Sequence, residues 1–473
     1  MSDEHNPKFL GCAGHPFIQT PHLDRLAARG TRFTSAYTCS PICVPARAAF
    51  ATGRYVHEVG FWDNADAYDG VLPSWHHVLR QAGHRAVSIG KLHFRGRPGD
   101  DHGWSEEILP MHIIDGIGDV KGLVRENIPV RKGGDKMAKL AGPGESTYTQ
   151  YDRQIAQAAC DWLEQRAGQK DPKPWTLFVS MVAPHFPLTA PQRWFEHYAA
   201  MDLPMPKLYG EAERPHHPFT DEYARVVDYD SHFHARADVQ RALAGYCGLV
   251  SFMDEQMGRV LDALDRLGLA QDTLVIYTSD HGDNLGARGL WGKSTLYEES
   301  AGVPLILAGP QIAAGGVSQE PVSHVDIPVT ILQASGAPAL PRASGHCLMD
   351  LLRGGKPSRP VLSEYHAIGS TGGATMLRVG RWKYCHYTDH PPQLFDLERD
   401  PEELQDLAAD PAYADPLRQC HSLLLQHLNP HEVDRRAKAR QQELLLSYGG
   451  RDAALARGDL GFTPAPGTAA AYN

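Results

Sequence analysis

Residues 274–282 read Leu-Val-Ile-Tyr-Thr-Ser-Asp-His-Gly. An apolar, β-branched run ends abruptly on an acid, an imidazole and a glycine. The run Leu274–Thr278 predicts a buried strand, and the polar residues behind it predict a loop at the strand's carboxyl end. Ala86–Ile89, Thr176–Val182 and Pro304–Leu307 have the same character. Between them, His22–Ala28, Trp75–Gln81, Tyr151–Gln165 and Leu249–Leu267 place apolar residues at helical spacing. Buried strands interleaved with helices predict an α/β fold with a large mixed, mostly parallel sheet sandwiched by helices. Chemistry in such sheets collects in the loops at the carboxyl ends of strands. That rule singles out Ser279-Asp280-His281-Gly282 and Val182-Ala183-Pro184-His185.

The texture changes near residue 350. Val361–Glu364, Ala374–Val379 and Trp382–Tyr387 alternate as antiparallel strands do, and Ala412–Leu428 is helix-like. The expected organisation is a catalytic domain over 1–350 and a smaller C-terminal α+β subdomain over 351–428. An extended tail over 429–473 follows, carrying an Arg-rich helix-like stretch at Arg435–Leu446 and suited to a subunit interface. Residues 99–148 and 200–236 are rich in Gly, Pro, His and charge, and read as long excursions near the site. His216, His217, His232 and His234 have no carboxylate or cysteine at a ligand spacing and read as loop surface.

Composition excludes several classes. The 473 residues carry 46 basic and 56 acidic side chains, a net charge of −10. Nucleic-acid binding needs a basic face, so it is not expected. No apolar run is long enough to span a membrane. The N-terminal Met-Ser-Asp-Glu-His has neither a basic nor an apolar leader region. The eight cysteines form no Cys-x-x-Cys pair, which predicts free thiols and a reducing, cytoplasmic setting.

The most informative chemistry lies in Cys43-Val44-Pro45-Ala46-Arg47, continuing to Thr52-Gly53-Arg54. Pro45 suits the first turn of a helix, and Ala46–Ala51 propagates it. Cys43 is then at a helix N-terminus, near free N–H groups and the positive dipole end. Arg47 is one turn on, on the same side. That arrangement suits a tetrahedral anion beside a nucleophile. The Cys-x5-Arg loop of cysteine phosphatases is absent, since position 49 is Ala, and so is a Gly-x4-Gly-Lys phosphate loop. Cys43 alone would read as a buried structural thiol.

Cys-x-Pro-x-Arg followed by Thr-Gly-Arg resembles the signature of the type I sulfatases, members of the alkaline phosphatase superfamily. The resemblance covers roughly residues 1–410. Cys39-Ser40-Pro41-Ile42-Cys43 and Trp62-Asp63-Asn64 are most similar to the choline-sulfatase and phosphonate monoester hydrolase branch. Other motifs follow in family order. Asp3-Glu4 resembles the acidic metal-binding pair, and Gly90-Lys91-Leu92-His93 resembles Gly-Lys-x-His. Ala183-Pro184-His185 resembles the leaving-group histidine loop, and Ser279-Asp280-His281-Gly282 the second metal motif. Lys293 resembles the lysine that bridges sulfate and leaving oxygen, and Leu394-Phe395-Asp396-Leu397 with Asp400-Pro401 and Glu403 the C-terminal signature. Three departures stand out. Glu4 replaces the usual Asp or Gln, and His281 replaces a frequent Asn. Asp3 lies almost at the first residue although a buried strand precedes this pair in the family, so the expectation is that the start is assigned too late.

The resemblance implies a sulfate monoester hydrolase. In the family a generating enzyme oxidises the cysteine to formylglycine. Its hydrate attacks sulfur, forms a covalent sulfo-enzyme and releases the alcohol. The implied metal ligands are Asp3, Glu4, Asp280, His281 and the residue at 43. The implied catalytic set is Cys43, Arg47, Lys91, His93, His185 and Lys293. An oxygen-rich shell points to Ca²⁺, with Mn²⁺ the alternative that His281 raises. A base such as His93 expels sulfate, while His185 or Lys293 protonates the alkoxide. Charge stabilisation of the transferring group is the main source of rate. The substrate is a small-molecule sulfate ester, and the branch implies a homo-oligomer. Two other readings stay open: a phosphonate monoester or phosphate diester hydrolase using the same site, and a non-catalytic anion- or metal-binding protein with Cys43 unmodified.

Overall fold

The structure, a computed structural model, describes residues 1–169, 173–355 and 359–472. Its central strands are β1 (Gly30–Phe33), β2 (Arg85–Lys91), β3 (Glu106–Met111), β4 (Trp175–Ser180), β5 (Val275–Thr278), β6 (Leu305–Ala308) and β7 (Gly316–Ser318). One group runs in the order β3-β2-β4 with parallel pairing throughout. The other runs β7-β1-β6-β5, with β1 parallel to β7 and the β1–β6 and β6–β5 pairs antiparallel. Four of these strands are the four apolar runs of the sequence, shifted by a residue or two.

Met1–Asp3 joins the two groups. The Met1 amino group donates to Val179 O at 2.8 Å, and Met181 N donates to Met1 O at 2.9 Å. On the other side Ser2 N donates to Thr278 O at 3.0 Å. Ser2 and Asp3 thus form parallel bridges to Ser279 and Pro184, and Asp3 is anchored and fully buried. Beyond Met1, β4 and β5 border an apolar cavity of about 710 Å³ whose lining includes Leu177, Val179, Val275 and Tyr277.

Alternate side chains leave the sheet on opposite faces, as strand geometry dictates. Val87, Ile89, Ile306 and Ala308 pack beneath the helices Thr147–Ala167 and Arg236–Arg266. Ala86, Leu305 and Leu307 pack on the other face, with Phe50, Trp75 and Leu332 from the helices Cys43–Thr52, Trp75–Gln81 and Asp326–Ala334. The sandwich is therefore helix–sheet–helix, as expected.

The C-terminal sheet is a four-stranded antiparallel meander, β8 (Val361–Tyr365), β9 (Ala374–Val379), β10 (Trp382–Tyr387) and β11 (His390–Asp396). Leu362, Leu377 and Tyr384 pack with Leu424 of the helix Ala414–His427. Tyr365, Met376 and Cys385 pack on the other face against Tyr37, Ile42 and Phe219. Buried Lys383 pairs with Glu298 at 2.8 Å and Glu403 at 2.7 Å, clamping this sheet to the loop that follows Lys293.

The segment after residue 428 packs on the body of the protein instead of extending as a tail, and the helix-like stretch Arg435–Leu446 lies within its first helix. It forms the helices Pro430–Ser447 and Gly450–Ala456. Leu445 and Ala454 bury against Ala65, Val120 and Leu123. Its few apolar residues complete a small core whose other side is supplied largely by the 99–148 excursion. His217 also departs from the loop-surface reading. It is buried, and its Nδ1 accepts Phe219 N at 3.3 Å to cap a helix.

Candidate active site

Cys43 opens the helix Cys43–Thr52, whose last turn closes at Gly53 in the left-handed region (φ 62°). A Cβ there would lie 2.8 Å from Leu340, so glycine serves both the turn and the packing. The Cys43 thiol is 3.0 Å from His281 Nε2, 3.3 Å from Lys293 Nζ and 3.7 Å from Asp3 Oδ1. Burial, with Asp3 beside it, pushes this thiol up to about 12. As cysteine it therefore stays protonated and is a weak nucleophile.

Asp280 and His281 follow β5. Asp280 Oδ1 accepts the backbone N–H of Glu4 and of His281 at 3.2 and 3.0 Å. His281 Nδ1 lies 3.0 Å from Gly282 O. A proton on Nδ1 is fixed by that carbonyl, leaving the Nε2 lone pair facing Cys43, Asp3 and Asp280. Asp3, Cys43, Asp280 and His281 are all buried and offer one ligand atom each within 4.8 Å of one another. Two carboxylates, an imidazole lone pair and the atom at position 43 form a donor set that fits a divalent cation. Glu4 is in an adjoining group with Asp3 and His185. Its Oε2 is 3.2 Å from Lys293 Nζ and 3.4 Å from His185 Nε2. Burial lifts the Glu4 carboxyl to about 7 despite Lys293.

Arg47 does not face an anion beside Cys43, as its place one turn along the helix suggested. Its Nε donates to Asp280 Oδ2 at 2.8 Å and its Nη2 to Asp3 Oδ2 at 3.2 Å. Nη1 donates to Lys91 O at 2.7 Å and Ser180 Oγ at 3.0 Å. These partners hold it behind the two carboxylates, outside the pocket lining. Lys91 also ion-pairs with Asp3, yet it lines the pocket.

Lys293 Nζ is 2.8 Å from His185 Nε2. Burial would lower this ammonium, but the acidic groups around it, Glu4 and Asp3 among them, hold it well above the ordinary lysine range. The charge beside it and burial keep His185 neutral; burial is the larger cause. His93 has a positive φ of 55°, and its buried ring has no hydrogen-bond partner on either nitrogen. Burial, with Lys91 nearby, holds it well below the ordinary imidazole range. The neutral ring therefore stands on the pocket wall with no other partner competing for either nitrogen.

The pocket above these groups measures about 130 Å³. Asn64 lines it, while neighbouring Trp62 and Asp63 do not. Both excursions contribute, through Asp119, Arg131 and Met137, and through Tyr223 and Tyr229. Sequence reasoning missed the last wall, residues 459–463. Asp459 accepts Lys121 Nζ at 2.7 Å and pairs with Arg131 at 3.4 Å. Sequence reasoning also missed Asp152. Its two oxygens each accept a backbone N–H at 2.8 Å, from Val182 and Ala183, fixing the loop that presents His185.

A helix-borne cysteine, an acidic cluster that fits a divalent cation and converging basic groups thus share one pocket. The sulfatase family model matches residues 1–337, and the model for the C-terminal part of N-sulphoglucosamine sulphohydrolase matches residues 286–429. The chain is 33% identical over 420 residues to the choline-sulfatase of Rhizobium meliloti, covering 87% of this chain and 82% of that protein. It is 29% identical to human arylsulfatase K, covering 86% and 78%. Among solved structures, the phosphonate monoester hydrolase SpPMH from Silicibacter pomeroyi superposes with a TM-score of 0.74 at 24% identity, over 90% of this chain and 94% of that one, a likeness of fold. The chain belongs to the sulfatase family. It is a sulfuric ester hydrolase. No helix among the described residues is long and apolar enough to cross a membrane.

Proposed function

We propose that this protein hydrolyses a small sulfate monoester through formylglycine made from Cys43 by a formylglycine-generating enzyme. The observation that carries the reading is the convergence of His281, Lys293 and Asp3 on the Cys43 side chain, 3.0–3.7 Å away. A buried thiol held protonated has little use there, whereas a hydrated aldehyde places one hydroxyl toward the cation ligands and leaves another free. A cation held by Asp3, Asp280, His281 and the oxygen at position 43 would draw charge from the sulfate oxygens, Ca²⁺ by the carboxylates and Mn²⁺ as the alternative through His281.

Lys91 and Lys293 supply the positive charge that the dianionic transition state needs. Lys293 and His185, 2.8 Å apart, share the proton given to the departing alkoxide. His93 accepts a proton from the second hydroxyl, so that the bond to the sulfate ester oxygen breaks and the aldehyde returns. Arg47 positions Asp3 and Asp280. The pocket is well below the roughly 300–1,000 Å³ of drug-sized sites, so the alcohol is small. The free thiols fit a cytoplasmic setting.

The test is a matched pair of aryl esters, one sulfate and one phosphorus-based, assayed with the protein co-expressed with the generating enzyme. Sulfate release is expected to exceed phosphorus-ester hydrolysis in kcat/KM by at least tenfold. Preference for the phosphorus ester would overturn the sulfatase assignment of this site.

A further inference from the structure

We propose that His102, Glu107 and His112 form a second divalent-metal site of the zinc class, outside the catalytic pocket. His102 is in the loop after β2, Glu107 is within β3, and His112 follows it directly. His102 Nδ1 is 2.9 Å from Glu107 Oε1, and His112 Nε2 is 3.2 Å from Glu107 Oε2. The three ligand atoms lie within 4.8 Å of one another. The two rings approach different oxygens of Glu107, so an ion held by one of these oxygens would draw the second ring inward to reach about 2.1 Å from all three donors. Two imidazoles and one carboxylate leave a corner of a tetrahedron for water.

Two further observations support the site. His102 is only 5% exposed, and its Nε2 and the Nδ1 of His112 have no hydrogen-bond partner. Nothing outside the cluster therefore fixes either tautomer, and turning each lone pair inward gives up only the N–H···O bonds to Glu107, which bonds to the ion would replace. A Cβ on Gly96 would lie 2.4 Å from the His112 ring, so the loop needs glycine there to approach the histidine. A bound ion would fasten this loop to β3, the strand end whose Met111 O accepts the backbone N–H of His93 at 2.8 Å. No outer acceptor supports the two rings, which places affinity about 10–100-fold below that of a buttressed zinc site. Micromolar zinc is the concentration range to use.

The full-length protein is equilibrated with Zn²⁺ at tens of micromolar, desalted, and its metal counted by mass spectrometry. Wild type and Asp280→Asn are compared with the same two proteins carrying Glu107→Gln or His112→Gln, each checked for native circular dichroism. The proposal expects one Zn²⁺ fewer per chain on either cluster substitution, in both backgrounds, with the Asp280→Asn protein alone retaining that ion. Equal zinc content with and without the cluster substitutions would overturn it and leave a metal-free histidine–glutamate network. If Glu107→Gln fails to fold, His112→Gln decides by the same count.

Discussion

The guanidinium of Arg47 reaches Asp280 through Nε and Asp3 through Nη2, with Nη1 on Lys91 O and Ser180 Oγ. That fork holds two buried carboxylates of like charge side by side, which would otherwise repel each other and drive one toward protonation. A lysine keeps the charge but offers a single ammonium on a flexible stem. Arg47→Lys is therefore expected to weaken cation affinity about 10–100-fold, as loss of an outer positioning group does. Calorimetric titration of the variant against wild type measures this; unchanged affinity would show that Arg47 does not organise the ligands. At this scale the sequence was informative about residue types and less so about aim. Cys43, Asp280, His281, Lys91, His93, His185 and Lys293 all meet in one buried cluster. The direction of Arg47 depends on Asp3, 44 positions away, and no local pattern carries that. Asp152 was invisible for a related reason, because a single acid in an amphipathic helix has no motif.

The short helix Val56–Val59 is tied to β8 by His57 Nδ1 and Glu364 Oε1 at 2.7 Å. Burial would raise the glutamate, but His57 and His366 hold it down to about 2 from an ordinary 4.5. Burial would lower the histidine, but Glu364 holds it above its ordinary 6.5. The glutamate's contribution is complete above pH 4.5 and lost as pH falls toward 2. The histidine's is complete below pH 6.5 and lost as pH rises through its raised value. The tie is thus fully formed between these limits. His57→Gln keeps a donor but loses the charge, and is expected to cost about 1–3 kcal/mol near pH 5.5. Thermal melts of both proteins from pH 5.5 to 9 check this: the gap in Tm should narrow toward pH 9, and a constant gap would contradict an ionic origin. Elements were legible where their period was regular, as in Trp75–Gln81, Ala374–Val379 and Trp382–Tyr387, whose bounds coincide with the sequence reading. Glu106–Met111 was missed because its acidic start and its Pro110 hide a strand that pairs only along β2.

Across the whole molecule, three distant pieces close one site. Met1–Asp3 bridges the two halves of the sheet, the C-terminal sheet clamps the Lys293 loop through Lys383, and residues 459–463 wall the pocket. The α/β sandwich was readable because it follows from strand burial on two faces. Strand order was not, since it is set by pairing between segments hundreds of residues apart. The pocket wall at 459–463 was equally hidden, because Phe462 meets its partners Tyr148 and Phe186 only in the folded chain. All three pieces converge on position 43, and the account stands on the group present there. The direct measurement is the intact mass of the peptide spanning residues 33–47, from protein co-expressed with the generating enzyme and assayed in parallel for sulfate release. The account predicts a peptide about 18 Da lighter than its cysteine form, as expected for thiol-to-aldehyde conversion, with activity rising in proportion to the converted fraction. Full sulfate-releasing activity from protein whose Cys43 remains an unmodified thiol would contradict it.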